Sequence, residues 1–167
     1  MVSIHNQINK KTSDISLRCM QVNLQHSKTA TDHFNQLTME MDIDIAFIQE
    51  PHIYQNQVTG ISRKHRTFAC GNGRKRAAIL VANKQIDVLL ISQLSEEDIV
   101  VEVIQGNLKF IAASVYLDIE NEITMDLYKI ENILQFAKDG GLLVAMDSNA
   151  RSKTWHDVLT NKKGRIL

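Results

Sequence analysis

The sequence predicts a single mixed α/β domain with its sheets inside and its helices outside. Three observations carry this reading. The chain has 167 residues, 44% of them hydrophobic and 23% charged, enough to bury one core and too few for two comfortable domains. Its opening reads strand, helix, strand within about 35 residues, the proportions of a βαβ unit. Its remainder consists of short β-branched runs between turn signals, then one amphipathic helix and five apolar residues in a row, LLVAM at 142–146.

The elements follow in order. Residues 1–14 are polar and read as a flexible tail, with the domain spanning 15–167. Across 15–25, Ile15, Leu17, Cys19 and Gln21 share one face and Met20, Val22 and Leu24 the other, which marks a strand covered on both sides. Ser27, Thr29 and Thr31 offer N-caps for a helix to about Met41, with Ala30, Phe34, Leu37 and Met41 at helical spacing. IAFIQ at 45–49 is a second strand, closed by Glu50-Pro51. Further strands are predicted at 68–69, 77–82, 87–91, 99–105 and 108–117, with hairpin turns at Gly71-Asn72-Gly73 and Gly106-Asn107. Residues 122–138 form a helix whose apolar face is Ile123, Leu127, Ile130, Ile133, Leu134 and Ala137, stopped by a left-handed Gly140-Gly141. A buried central strand at 142–146 and a short helix at 155–160 complete the chain.

Composition excludes several classes. One proline and seven glycines are incompatible with collagen-like or linker-like sequence. No apolar run approaches the roughly 20 residues of a membrane span, and the N-terminus lacks the apolar segment of a secretory signal. Cys19 and Cys70 have no CxxC spacing, which favours a reducing compartment over a disulfide scaffold or zinc ribbon. The 19 Lys+Arg balance 19 Asp+Glu, so binding to nucleic acid requires a local basic patch. One stretch supplies it: Arg63, Lys64, Arg66, Arg74, Lys75 and Arg76 contain no acid among them, and around the 71–73 turn they suit phosphate backbones. A solvated loop is the plain alternative. His26, His33, His52 and His65 lack ligand spacing for zinc.

Polar groups close three apolar strands: Asn23 on the first, Gln49-Glu50 on the second, and Asp147-Ser148-Asn149 on the last. Strand ends in α/β domains are where a rigid sheet presents groups to a crevice. Carboxylate and amide oxygens of this kind suit magnesium or manganese beside a phosphate. Taken singly, each has an ordinary reading as a charged strand terminus, an Asx turn or a satisfied sheet amide.

NLQHSK (23–28), IQEP (48–51), SVYLD (114–118) and LLVAMDSNARSKTW (142–155) resemble, in order, the motifs of the endonuclease/exonuclease/phosphatase superfamily. They are most similar to the apurinic-like endonuclease domain of non-LTR retrotransposons, and NKKGRIL (161–167) resembles the segment that follows. The resemblance implies a DNase I-like two-sheet β-sandwich flanked by helices. It implies that Glu50 binds a divalent metal (Mg²⁺ or Mn²⁺) with Asn23 beside it, and that Tyr116 hydrogen-bonds the scissile phosphate. Asp147 then prepares the attacking water while Asn149 holds phosphate and aspartate in register. DNA is the implied partner, with derivation from or fusion to a reverse transcriptase, and an intracellular, nuclear location when functional.

The same resemblance implies C-terminal strands carrying another aspartate and a Ser-Asp-His triplet, which do not occur before Leu167. His156 does not stand in a Ser-Asp context. Catalysis by the chain alone is thus expected to be impaired, by roughly 10²–10³ in rate for one lost phosphate-stabilising group. Two alternatives accompany the endonuclease: a non-catalytic remnant that binds nucleic acid or metal, and a phosphomonoesterase of the same superfamily. Trp155 is expected to pack on the loop at 147–151.

Overall fold

The computed structural model describes residues 2–4, 16–71, 75–138 and 140–166, with backbone alone for 2–4 and Trp155. Two sheets stack face to face between two helices, as the two-sheet sandwich reading expects. The first sheet has the order β1 (Val2–Ile4), β2 (Leu17–Asn23), β3 (Ile45–Gln49), β7 (Ala77–Val81), β6 (Arg66–Phe68). The second has the order β11 (Gly141–Asp147), β10 (Leu108–Tyr116), β9 (Ile99–Gln105), β8 (Asp87–Leu90). A two-stranded ribbon, β4 (Ile53–Tyr54) with β5 (Gln57–Val58), lies apart.

Each sheet contains one parallel pair. β2 and β3 run parallel around α1 (Lys28–Glu40), and β10 and β11 around α2 (Ile123–Ala137). All other pairings are antiparallel. The period-two alternation of each strand sorts its residues into layers. Leu17, Cys19, Ile45, Phe47, Ile79, Val101, Phe110, Ala112 and Ala145 fill the space between the sheets. Phe34 of α1 covers Ala46, Ile48, Ala78 and Leu80, while Ile133 and Ala137 of α2 cover Val100, Ile111, Ala113 and Val115. The order of layers is helix, sheet, sheet, helix.

Local chemistry sets the element ends. Ser27 accepts the Ala30 N–H as the N-cap of α1. β2 ends two residues earlier than its apolar pattern, because the Asn23 side chain takes the Gln25 N–H and Gln25 and His26 turn to positive φ. Gly106-Asn107 is the two-residue turn expected between β9 and β10, whose register closes at Gln105 opposite Leu108.

Val2–Ile4, inside the segment read as a tail, pair antiparallel with β2. Other expectations are corrected. The β6–β7 register sets Phe68 opposite Ile79, so ten residues separate these partners, more than a tight hairpin turn holds; Asn72, Gly73 and Arg74 lie outside the described residues, as does Ile15. α2 closes at Lys138, with φ 46° and its N–H on Leu134 O, ahead of the glycines. Leu127 and Leu134 are exposed, because the buried face of α2 runs through Asp126, Ile133 and Ala137. In place of a helix at 155–160 there is one 3₁₀ turn, Lys153–Trp155, stopped by left-handed His156. The packing expected of the Trp155 side chain falls outside what is described. No helix among the described residues is long and apolar enough to cross a membrane.

Candidate active site

The inter-sheet layer is apolar at one end and polar at the other. On β2 the inward residues run Leu17, Cys19, Gln21, Asn23, and on β3 they run Ile45, Phe47, Gln49. On β10 they are Phe110, Ala112, Ser114 and Tyr116, and on β11 Leu143, Ala145 and Asp147. Both parallel pairs therefore deliver polar side chains to the same edge of the sandwich.

Behind that edge lies a clamp, buried at Gln49 and Ser114 and exposed at Gln21. Gln49, fully buried, donates from Nε2 to Ser114 Oγ at 3.0 Å and to Ala145 O at 3.3 Å. Ser114 Oγ donates to Ile48 O at 3.1 Å, and Gln21 Nε2 to Met146 O at 2.9 Å. These bonds tie the sheets together and hold the strand ends in register.

Asn23, Glu50, Tyr116, Asp147 and Asn149 come together in front of the clamp. Asn23 donates to Asp147 Oδ2 at 2.7 Å. Asp147 Oδ1 accepts the Asn149 N–H at 3.1 Å, and Asn149 Nδ2 donates to Leu117 O at 3.0 Å. Asn161 Nδ2 donates to Asn149 O at 2.7 Å, so the loop after Asp147 is braced from both sides. Glu50 and Asn149 hold positive φ, 47° and 49°, a conformation that costs a non-glycine residue about 1 kcal/mol and that clusters at functional sites. The Tyr116 hydroxyl faces the Glu50 carboxylate and the Asn149 amide. Burial pushes its phenol up, and Glu50 adds to the rise against the opposing pull of Asn149 and Arg76. At neutral pH the phenol keeps its proton and serves as a donor. The Tyr116 N–H is itself taken by buried Asp98 Oδ1 at 2.9 Å.

The five described basic residues of that stretch are not brought together. Arg66 reaches back to the carbonyls of Ile86 and Asn83, beside the far end of β7. Arg63 and Lys64 are exposed in the turn before β6. Lys75 donates to Gly71 O at 2.6 Å, and Arg74 lies outside the described residues. Arg76 is in the site: its guanidinium pairs with Asp118 and stands 3.7 Å from Glu50 Oε1 and 5.0 Å from the Tyr116 ring centre. Sequence reasoning placed Arg76 with its neighbours and gave Asp118 no role. The register held the signal, since Gln49 opposite Ala77 puts Glu50 and Arg76 side by side.

Among the described residues no group of three or more His, Cys, Asp or Glu side chains is arranged to hold a metal. A metal here would have Glu50 as its carboxylate, the Asn23 carbonyl, which keeps a lone pair beyond that given to Gln25 N–H, and water. Magnesium is commonly held by one or two carboxylates with several waters. Glu50, Asp118 and Asp147 against Arg76 carry a formal −2 (three carboxylates, one guanidinium), with the His26 imidazole 3.5 Å from Glu50 Oε1 beside them. The donor set fits such an ion.

A scan against protein-family models and a search of curated proteins returned no match. Among solved structures, the chain is similar to the endonuclease domain of TRAS1, a telomere-specific non-LTR retrotransposon, with 27% identity and TM-score 0.78 over 90% of this chain and 67% of that one. It is also similar to humanized D. rerio TDP2, with 15% identity, TM-score 0.61 and coverage of 81% and 63%. An endonuclease/exonuclease/phosphatase family protein from Bacteroides thetaiotaomicron gives 11% identity, TM-score 0.56 and coverage of 80% and 63%. The chain thus spans about two thirds of the length of each of these solved chains. The architecture is that of the endonuclease/exonuclease/phosphatase proteins, DNase I-like. Within it, the resemblance is to the endonuclease domain of a non-LTR retrotransposon.

Proposed function

We propose that the chain is a divalent-metal-dependent DNA endonuclease domain of retrotransposon type, acting in the nucleus to nick target DNA for a reverse transcriptase. The observation that carries this reading is the convergence of Asn23, Glu50, Tyr116, Asp147 and Asn149 from both sheets onto one edge. The similarity to the TRAS1 endonuclease domain supports it.

The geometry is compatible with the following proposed roles. Glu50 and the Asn23 carbonyl are the groups that would hold the cation. When bound, a divalent cation neutralises charge that develops on a phosphoryl group in the transition state. Asp147, oriented by the Asn23 amide and the Asn149 N–H, accepts a proton from the attacking water. Tyr116 and Asn149 donate hydrogen bonds to phosphate oxygens, and Arg76 adds positive charge behind the phenol.

A supercoiled-plasmid nicking assay with Mg²⁺ tests the proposal, comparing the chain with Glu50→Ala and Asp147→Ala. Nicking is expected for the parent and at least about 10²-fold weaker in each variant. Nicking that persists in both variants would remove the assignment. Turnover of a phosphomonoester without nicking would move the chain to the phosphatase branch.

A further inference from the structure

Arg76 is held more firmly than phosphate binding alone requires. Its side chain is 14% exposed, against 18% for Glu50 and 20% for Asp118. One guanidinium nitrogen hydrogen-bonds Asp118 Oδ2, and the guanidinium carbon lies 5.0 Å over the Tyr116 ring. The other terminal nitrogen is 3.7 Å from Glu50 Oε1, outside hydrogen-bond reach. Asp118 and the ring therefore fix the guanidinium, and Glu50 feels it through charge alone. The backbone maintains this spacing, because Arg76 O accepts the Glu50 N–H at 2.8 Å.

We propose that Arg76 is an internal counter-cation of Glu50, which a divalent metal must displace electrostatically, with Asp118 setting how strongly Arg76 competes. This rests on Glu50 being the metal-binding carboxylate. Arginine stays protonated throughout the working pH range, so its own competition does not vary with pH; the His26 imidazole, with Nε2 3.5 Å from Glu50 Oε1, is a second neighbour of the same carboxylate. A partly buried charge pair at this separation interacts several times more strongly than the same pair in water. Asp118 restrains the competitor: it holds the guanidinium away from Glu50 and carries a neutralising charge of its own. A fully engaged Arg76–Glu50 pair would oppose metal binding more strongly, and loss of Arg76 would relieve that opposition.

The test is Mn²⁺ binding, followed by loss of the free-ion EPR signal on the full chain without DNA. Arg76→Gln is expected to tighten Mn²⁺ binding by about tenfold. Asp118→Asn is expected to weaken it by several-fold, since Arg76 then turns to Glu50. Lys75→Gln, which removes an adjacent cation bonded to Gly71 O, should change it by less than about twofold. Near-UV circular dichroism checks that each variant is folded. Unchanged or weaker binding in folded Arg76→Gln overturns the inference, as does a Lys75→Gln effect of equal size. If Arg76→Gln does not fold, Asp118→Asn decides, and unchanged or tighter binding there overturns it. Glu50→Gln separates the two levels: Mn²⁺ binding that survives it overturns the functional reading together with this inference, while its loss leaves the Arg76 result to stand alone.

Discussion

Asn23 and Asp147 are joined by a 2.7 Å hydrogen bond across 124 positions of sequence, from the end of a strand in one sheet to the end of a strand in the other. The amide gives Asp147 a fixed donor on Oδ2, while Asn149 N–H fixes Oδ1. The carboxylate is thereby aimed without being neutralised, which is what a group that prepares a water molecule needs.

Asn23→Ala is accordingly expected to lower nicking by about 10–100-fold, the range seen when a group orienting a reactive residue is lost. The accompanying stability loss should be about 1–2 kcal/mol, that of two partly exposed hydrogen bonds, to Asp147 and from the Gln25 N–H. Single-turnover nicking with urea unfolding separates the two. A stability loss with no change in rate would reduce Asn23 to a scaffold residue.

The Gln49 clamp makes a different demand. Gln49→Leu leaves Ser114 Oγ and Ala145 O without their donor in a buried layer, and a cost of about 1–3 kcal/mol is expected. Pairing it with Ser114→Ala should recover part of that loss, because the orphaned hydroxyl goes too. A double-mutant cycle in urea reads this coupling, expected at about 0.5–2 kcal/mol. Strict additivity would show that the sheets are not linked through this pair.

Asp98 supplies a pH dependence. Burial pushes its carboxyl above the ordinary range, against the pull of the Tyr116 amide and Lys129. A carboxyl raised in the folded state holds its proton better folded than unfolded. Its contribution to stability is complete below the ordinary carboxylate range and declines as pH rises through the raised value. Asp98→Asn keeps an oxygen for the Tyr116 N–H and removes the ionisation. Its urea midpoint, relative to the parent, is expected to improve between about pH 4 and about pH 7. A difference that stays constant over that interval would contradict the assignment.

Lys163 and Asp126 form a buried ion pair beneath the loop that carries Asn149, with Lys163 also bonded to Asp118 O. Lys163→Met strands a buried carboxylate whose Oδ1 already lacks a partner, and about 3–5 kcal/mol should be lost. The double change Lys163→Met with Asp126→Leu is expected to recover most of it. Thermal unfolding of the two variants checks this, and equal losses would place the cost elsewhere.

Much of the frame was legible because apolar periodicity is a local property. The strands Ile45–Gln49 and Ile99–Gln105 and the Ser27 cap stand where their patterns put them. Long-range pairing was not legible. The run from Arg63 to Arg76 reads as one basic patch, yet β6 turns back along β7 and carries Arg66 away from Arg76. Leu127 and Leu134 match the helical repeat as well as Ile130 and Ile133, but the face of α2 that meets the sheet is chosen by a partner strand. The β4–β5 ribbon escaped notice because two residues per strand carry no period. At the site, the strand-end residues could be found from their positions, whereas Arg76 and Asp118 required the register.

The strands of the first sheet all precede those of the second along the chain, residues 2–81 and then 87–147. Asn23, Glu50 and Arg76 belong to the earlier stretch, and Tyr116, Asp118, Asp147 and Asn149 to the later one. The chemistry is thus split between two consecutive halves of the polypeptide, each with its own βαβ unit. Neither half possesses a usable set of groups until it docks on the other. The site is in effect an interface folded into one chain, and its assembly reports on whether the halves have met in the right orientation.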